Sequence, residues 1–105
     1  MKLRILNSGS AGNCYILDDG KDALVIEAGV KFNHVKQAIN YDISRINGCL
    51  VSHEHGDHSG YINDFLKARI PVFASEGTIE AVKDKMKIDT YCLPMLRALE
   101  KGKRQ

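Results

Sequence analysis

Residues 50–60, LVSHEHGDHSG, constrain the fold more than any other segment of the sequence. They hold three of the four histidines of the chain, together with a glutamate and an aspartate. An apolar run typical of a buried strand ends at Val51, and an apolar stripe with helical spacing begins at Tyr61. The sequence therefore predicts a strand that ends directly before a polar loop, and a helix that follows the loop.

The segments before this loop alternate short apolar runs with turns. Residues 2–6, 13–19 and 22–28 are rich in β-branched and large apolar side chains, and Gly, Asn, Asp and Ser separate them. This spacing predicts a β-meander of three strands. Residues 32–39 then show apolar side chains at helical spacing, which predicts a helix with Asn33 as its N-cap.

The segments after the loop predict alternating helices and strands. The apolar stripe after the loop predicts a helix, residues 71–75 a short strand, and residues 75–87 a second helix with Ser75 as its cap. Residues 88–93 are expected to form a last strand, and Pro94 to begin a final helix. The order of elements indicates an α+β domain in which helices cover one face of a mixed β-sheet.

Composition excludes several classes of protein. A chain of 105 residues fits one domain, and its 44% hydrophobic and 27% charged residues are typical of globular rather than disordered proteins. No apolar stretch approaches the roughly 20 residues of a membrane span, so no membrane partner is expected. The formal net charge of +2 is too small to indicate nucleic-acid binding, and it does not exclude it.

The cysteines indicate a reducing compartment. Cys14, Cys49 and Cys92 are odd in number and widely spaced, and none belongs to a C-x-x-C pair. A disulfide framework is therefore not expected, and buried, reduced thiols in the cytoplasm are the favoured interpretation.

The spacing of polar side chains in residues 50–60 favours metal binding. His53 and His55 are two positions apart, so both imidazoles can project to the same side of an extended chain, as half of a tetrahedral zinc site. Gly56 permits a sharp bend that brings Asp57 and His58 back toward the same point. One loop can thus present ligands to two adjacent metals. An isolated histidine pair would more often be incidental, but the H-x-H-x-D-H pattern between a strand and a helix is much more specific.

SHEHGDHSG resembles the signature of the metallo-β-lactamase superfamily of binuclear metallohydrolases. LNSGSAGNCYIL resembles the first two strands of that fold with their glycine-containing turn, and ALVIEAG resembles its third strand. The chain is most similar to the small WalJ/YycJ-like branch, which is associated with nuclease or phosphodiesterase activity. The resemblance covers roughly residues 1–85. It implies the N-terminal half of an αββα sandwich.

The resemblance also implies the roles of the loop residues. It assigns His53 and His55 to a first metal, and Asp57 and His58 to a second. Asp57 is further expected to orient the attacking water or to accept a proton from it. The implied cofactors are two divalent metal ions, with zinc favoured and manganese as the alternative.

Other polar residues near the loop have different expected roles. Glu27 stands where the family usually has an aspartate, and its carboxylate is expected to brace the ligand loop from behind. Glu54 is expected to be an exposed loop carboxylate, because it points away from the flanking histidines. Ser52 and Ser59 are interpreted as loop and helix-cap residues rather than nucleophiles. His34 is interpreted as a surface residue.

The family also takes ligands from beyond the first half of its fold: two further histidines and a bridging aspartate. No histidine follows His58 in this sequence. Residues 1–105 are therefore interpreted as a single incomplete domain, with three alternatives. The chain can be part of a complete hydrolase and inactive by itself. It can be a half-fold that covers its exposed sheet face by pairing with a second copy. It can be a non-catalytic module with a structural metal.

The favoured activity of the complete enzyme is hydrolysis of a phosphodiester or nucleic-acid substrate by metal-activated water. In such a reaction two metal ions stabilise the charge that develops on the substrate oxygen. Lactam or thioester hydrolysis is the alternative, because the same metal pair serves those reactions.

Overall fold

The computed structural model of the protein describes residues 1–9, 12–53 and 55–99, with the side chains of residues 56 and 57 outside that description. Within these ranges, the strands are β1 (Lys2–Asn7), β2 (Cys14–Asp18), β3 (Ala23–Ile26), β4 (Ile46–Leu50), β5 (Val72–Ala74) and β6 (Leu96–Ala98). The α-helices are α1 (Phe32–Ala38), α2 (Gly56–Ser59), α3 (Ile62–Lys67) and α4 (Glu76–Lys85), and short 3₁₀ helices span Ile43–Arg45 and Thr90–Met95.

The described strands form one mixed sheet in the order β1-β2-β3-β4-β5-β6. The pairings of β1 with β2 and of β2 with β3 are antiparallel, which confirms the predicted meander. The three pairings that follow are parallel. The predicted α+β class is confirmed. None of the helices in the described ranges is long and apolar enough to cross a bilayer.

Adjacent rows of residues across the sheet differ in burial. One row is fully buried and consists of Ile16, Val25, Cys49 and Val72 on consecutive strands. Burial of aliphatic side chains of this kind contributes roughly 1.5–3 kcal/mol each. The next row points to the opposite face and is half-buried or exposed: Ile5, Tyr15, Ile26, Leu50 and Phe73. This second face therefore presents apolar surface, and the expected self-association through it stays a prediction.

The start of α1 differs from the prediction. Its N-cap is Lys31 rather than Asn33, and Lys31 makes no side-chain capping hydrogen bond. The Phe32 ring packs on Phe65 of α3, with 4.8 Å between ring centroids, so an apolar contact rather than a polar cap fixes the first turn. The predicted cap of α4 is confirmed, because the Ser75 hydroxyl accepts a hydrogen bond from the Thr78 N–H at 3.2 Å.

The predictions of a strand over residues 88–93 and of a helix from Pro94 are both wrong. Pro94 lies inside the 3₁₀ helix Thr90–Met95, and the residues after it form β6, which pairs in parallel with β5. The Leu99 N–H extends this pairing by donating to the Ala74 carbonyl at 2.8 Å. Hydrogen bonds to the edge of β5 outweigh the local helix preference of this segment.

Candidate metal centre

The candidate residues lie at the carboxyl edge of the parallel strands. The Glu27 N–H, one residue after β3, donates to the Leu50 carbonyl at 2.7 Å. The Val51 N–H donates to the Phe73 carbonyl of β5 at 2.9 Å, so the chain stays in the sheet up to the residue before Ser52. Ligands of open sheets commonly bind beyond this edge, because the loops that leave it converge there.

A tight turn brings the chain back after the first histidines. The His55 carbonyl accepts hydrogen bonds from the N–H groups of His58 and Ser59, at 2.9 Å each. The hydroxyl of Ser59, a fully buried residue, donates to the same carbonyl at 3.1 Å. Ser59 is the last residue of α2 and Tyr61 is the N-cap of α3, so the helix-cap interpretation of Ser59 is wrong. The short helix α2 thereby returns His58 toward His53.

The three imidazoles of residues 50–60 lie close together. The rings of His53 and His55 are stacked nearly in parallel, with 6.0 Å between centroids and 9° between planes. The His58 ring lies 4.8 Å from that of His53, tilted by 55°. His53 and His55 are exposed, and His58 is half-buried. The loop therefore gathers ring nitrogens where solvent and ions can reach them.

Glu27 lies behind these rings. It is buried, with 7% of its surface exposed, and its backbone has a φ of 72°, in the left-handed region that residues other than glycine seldom adopt. Its carboxylate accepts hydrogen bonds from the N–H of Ser52 at 3.0 Å and from the Ser52 hydroxyl. Its Oε1 lies 3.4 Å from His58 Nδ1. One carboxylate thus contacts both ends of the histidine loop.

Ser52 connects Glu27 to the first histidine. Its Oγ lies 2.8 Å from His53 Nδ1 while its hydroxyl proton is directed to the carboxylate. Ser52 Oγ can then accept a hydrogen bond from the Nδ1–H of the neutral ring, which leaves the Nε2 lone pair of His53 as the metal donor. Sequence reasoning treated Ser52 as a loop residue. Its position, directly between a strand end and a histidine, was the available signal.

Asn13 approaches the site from the turn between β1 and β2, and sequence reasoning missed it. Its Nδ2 lies 3.5 Å from His58 Nε2. Its side chain also exchanges hydrogen bonds of 3.1 Å with the backbone N–H and carbonyl of Gly9. Gly12 lets this turn come close, since a Cβ at that position would lie 2.2 Å from the Gly29 carbonyl oxygen. The GN pair directly before β2 was the available signal.

The cysteines belong to the core. Cys14, Cys49 and Cys92 are buried and free, as predicted. Burial, with a smaller contribution from the negative charge of Glu27, raises the pKa of the Cys14 thiol to about 12. Burial likewise raises the pKa of Cys49. Thiols that stay protonated at neutral pH are poor metal ligands, because the thiolate is the form that binds metal.

The donor types fit zinc, which binds imidazole nitrogen readily. In the part of the chain that the structure describes, no group of three or more His, Cys, Asp or Glu side chains is placed to hold one ion. The assignment of His53 and His55 to a first metal, and of His58 to a second, therefore stays a prediction. Glu54 and the side chain of Asp57 lie outside the described residues, so their assigned roles stay predictions.

Comparison with known proteins identifies the class. A model of the metallo-beta-lactamase superfamily matches residues 8–84 of the chain. The chain therefore belongs to the metallo-beta-lactamase superfamily. The fold agrees: the crystal structure of the DIM-1 metallo-beta-lactamase superposes with a TM-score of 0.65 at 15% identity, over 94% of this chain and 51% of that one.

Two relatives with similar sequences are both named exodeoxyribonucleases. The chain is 28% identical over 106 aligned positions to the exodeoxyribonuclease WalJ of Streptococcus pneumoniae serotype 2, covering 97% of this chain. It is 33% identical over 84 positions to the exodeoxyribonuclease YycJ of Bacillus anthracis, covering 75% of this chain. The alignments span 39% and 31% of those relatives, so this chain corresponds to well under half of each.

Proposed function

We propose that this chain carries one half of a divalent-metal centre in a hydrolase that cleaves phosphodiester bonds of nucleic acids. The observation that carries the proposal is the gathering of His53, His55 and His58 at the carboxyl edge of the sheet, with Glu27 buried behind them. The two relatives named as exodeoxyribonucleases support the substrate class.

The proposed metal ligands are those that the resemblance to the superfamily implies, and the role of Ser52 is inferred from its contacts. His53 and His55 hold one ion, and Asp57 and His58 hold the second. The Ser52 contact favours the neutral tautomer of His53 in which Nε2 carries the lone pair. Asp57 orients the attacking water or accepts its proton. When bound, two zinc ions, or manganese in their place, activate that water and polarise the phosphodiester oxygen.

We expect the 105-residue chain alone to hydrolyse phosphodiesters near background. A zinc site usually needs three or four protein ligands, whereas the proposal gives two to each ion. The three buried, free thiols suit a reducing compartment, which supports a cytoplasmic location for the enzyme. Self-association through the open sheet face, or a purely structural metal, is the alternative role of this chain by itself.

The test joins this chain to the remaining part of the pneumococcal relative and measures release of nucleotides from single-stranded DNA with zinc or manganese. Turnover that appears in the joined protein and disappears in His55→Ala supports the proposal. The same protein is offered a thioester and a β-lactam. If the protein hydrolyses the thioester or the β-lactam faster than DNA, that compound and not nucleic acid represents its substrate class.

A further inference from the structure

Two depressions adjoin each other, with Lys31 and Tyr61 in the walls of both. The larger, about 460 Å³, is lined chiefly by Lys31, Phe32, Lys36, Tyr61, Asp64 and Lys67. The smaller, about 380 Å³, adds Asn7 and His34 to the shared walls Lys31 and Tyr61. We call the two together the lysine groove. It extends from the end of β1 across the start of α1 to α3.

The groove is attached to the metal loop through one residue. The Ala28 N–H donates to the His58 carbonyl at 2.7 Å, and the Ala28 carbonyl accepts from the Tyr61 N–H at 2.8 Å. The wall residue Tyr61 is therefore tied to the same strand end as the candidate ligand His58.

The groove carries more positive than negative charge. Three lysines line it against one carboxylate, Asp64, whereas the whole chain carries a formal charge of only +2. Among the described residues, none of the three ammonium groups forms an ion pair. Lys36 lies over the Phe32 ring, 5.6 Å from its centroid, and Phe32 also packs on Phe65. The half-buried Tyr61 is thus the wall ring available for stacking.

We propose that the lysine groove binds the backbone of a single-stranded nucleic acid, with Lys31, Lys36 and Lys67 on its phosphates and Tyr61 stacked on a base. Ammonium groups that follow a backbone beside an aromatic ring are the recurring means of binding single strands, whose bases are free to stack. That the bound strand leads to the metal loop rests on the proposed function; the binding itself needs no metal.

The experiment measures binding of fluorescent oligo-dT and oligo-rU to the 105-residue chain by anisotropy, in EDTA and over a salt series. Replacing Lys31, Lys36 and Lys67 by alanine should weaken binding about tenfold or more and make the slope of log K against log salt about 2 units shallower, since each single-strand phosphate contact contributes roughly 0.7. The matched control replaces Lys83 and Lys85 of α4 and Lys87, two positions after its end, by alanine. It removes the same amount of charge from another part of the surface. Binding of this control should stay within about twofold of the native value.

The stacking part is tested at Tyr61. Tyr61→Ala should weaken binding about fivefold or more, while Tyr61→Phe, which keeps the ring, should retain native affinity. The DNA and RNA arms show which backbone is preferred. Equal losses in the two triple-lysine variants, or displacement of the oligonucleotide by polyglutamate as readily as by unlabelled oligo-dT, would overturn the inference. The protein joined to the remaining part of the pneumococcal relative separates the two proposals. If it binds oligonucleotides through the groove but has no nuclease activity, the proposed function is refuted and the groove inference stands.

Discussion

Two buried carboxylates lie at opposite ends of the same sheet and have different partners. Asp18, at the end of β2, is 6% exposed and pairs with the Arg45 guanidinium, which directly precedes β4. The Gly20 N–H donates at 2.8 Å to Asp18 Oδ1, the oxygen that pairs with Arg45, and the Arg4 Nε lies 3.7 Å from Asp18 Oδ2. This end of the sheet neutralises its buried charge with permanent cations.

Glu27, at the end of β3, is 7% exposed and has no arginine or lysine partner among the described residues. Its contacts are the N–H and hydroxyl of Ser52 and the titratable ring of His58. Removal of the fixed cation from a buried carboxylate destabilises the fold, whereas a carboxylate that contacts imidazoles orients those rings as metal ligands. The difference predicts that Asp18 mainly affects stability and that Glu27 mainly affects metal binding.

The largest expected effect is on stability at the Asp18 end. Arg45→Ala leaves Asp18 buried without its closest cation, and losing one partner of a buried pair costs about 3–5 kcal/mol. Because Arg4 and the Gly20 N–H remain, we expect a loss near the lower end, about 3 kcal/mol, in the free energy of unfolding by urea. Zinc affinity of the folded protein should not change. A loss below about 1 kcal/mol is typical of exposed ion pairs and would contradict the role of the Asp18–Arg45 pair in stability.

The next effect is on metal affinity at the Glu27 end. Glu27→Gln keeps the size of the side chain but replaces one acceptor oxygen by a donor, which mismatches Ser52 or His58. Loss of such a supporting contact typically weakens metal binding about 10–100-fold, and we expect the lower part of that range in a zinc competition titration.

Asp18→Asn is the matched control for Glu27→Gln, because it makes the same carboxylate-to-amide change at the other end of the sheet. It should lower stability and leave zinc affinity unchanged. If both substitutions weaken zinc binding to the same extent, the two carboxylates do not have separate roles.

The smallest effect is a pH dependence that links Glu27 to the core. The Cys14 thiol has a pKa of about 12 in the fold against an ordinary value of 9.0. The neutral thiol therefore contributes stability that is complete below about pH 9 and is lost as the pH rises through about 12. Alkylation of Cys14 in the folded protein should stay slow up to about pH 10 and accelerate above it. In the Glu27→Gln variant, alkylation of Cys14 should accelerate at a slightly lower pH, because the negative charge of Glu27 contributes to the raised pKa of the thiol. Alkylation at pH 9 as fast as in urea would contradict the burial of the thiol.

The comparison also shows what sequence could and could not predict. The alternation of apolar and polar residues predicted β1, β2 and β3, and the H-x-H-x-D-H spacing predicted which histidines gather. Both are local patterns. The contacts of Ser52 and Asn13 depend on two strands and a turn meeting at one edge, which no local pattern encodes. β6 was missed for the same reason, because a neighbouring strand edge overrides the helix preference of residues 96–98.

The most direct test of the metal assignment is a zinc titration followed through the histidine ring signals in two-dimensional NMR. The chain has four histidines, and His34 lies outside the candidate centre, so it serves as an internal control. We expect the signals of His53, His55 and His58 to shift or broaden together while that of His34 stays in place. His55→Ala should weaken the titration by more than the roughly 10–100-fold typical of a lost supporting contact, and His34→Ala should not change it. Equal shifts at all four rings, or an unchanged titration in His55→Ala, would contradict the assignment of the metal centre to this loop.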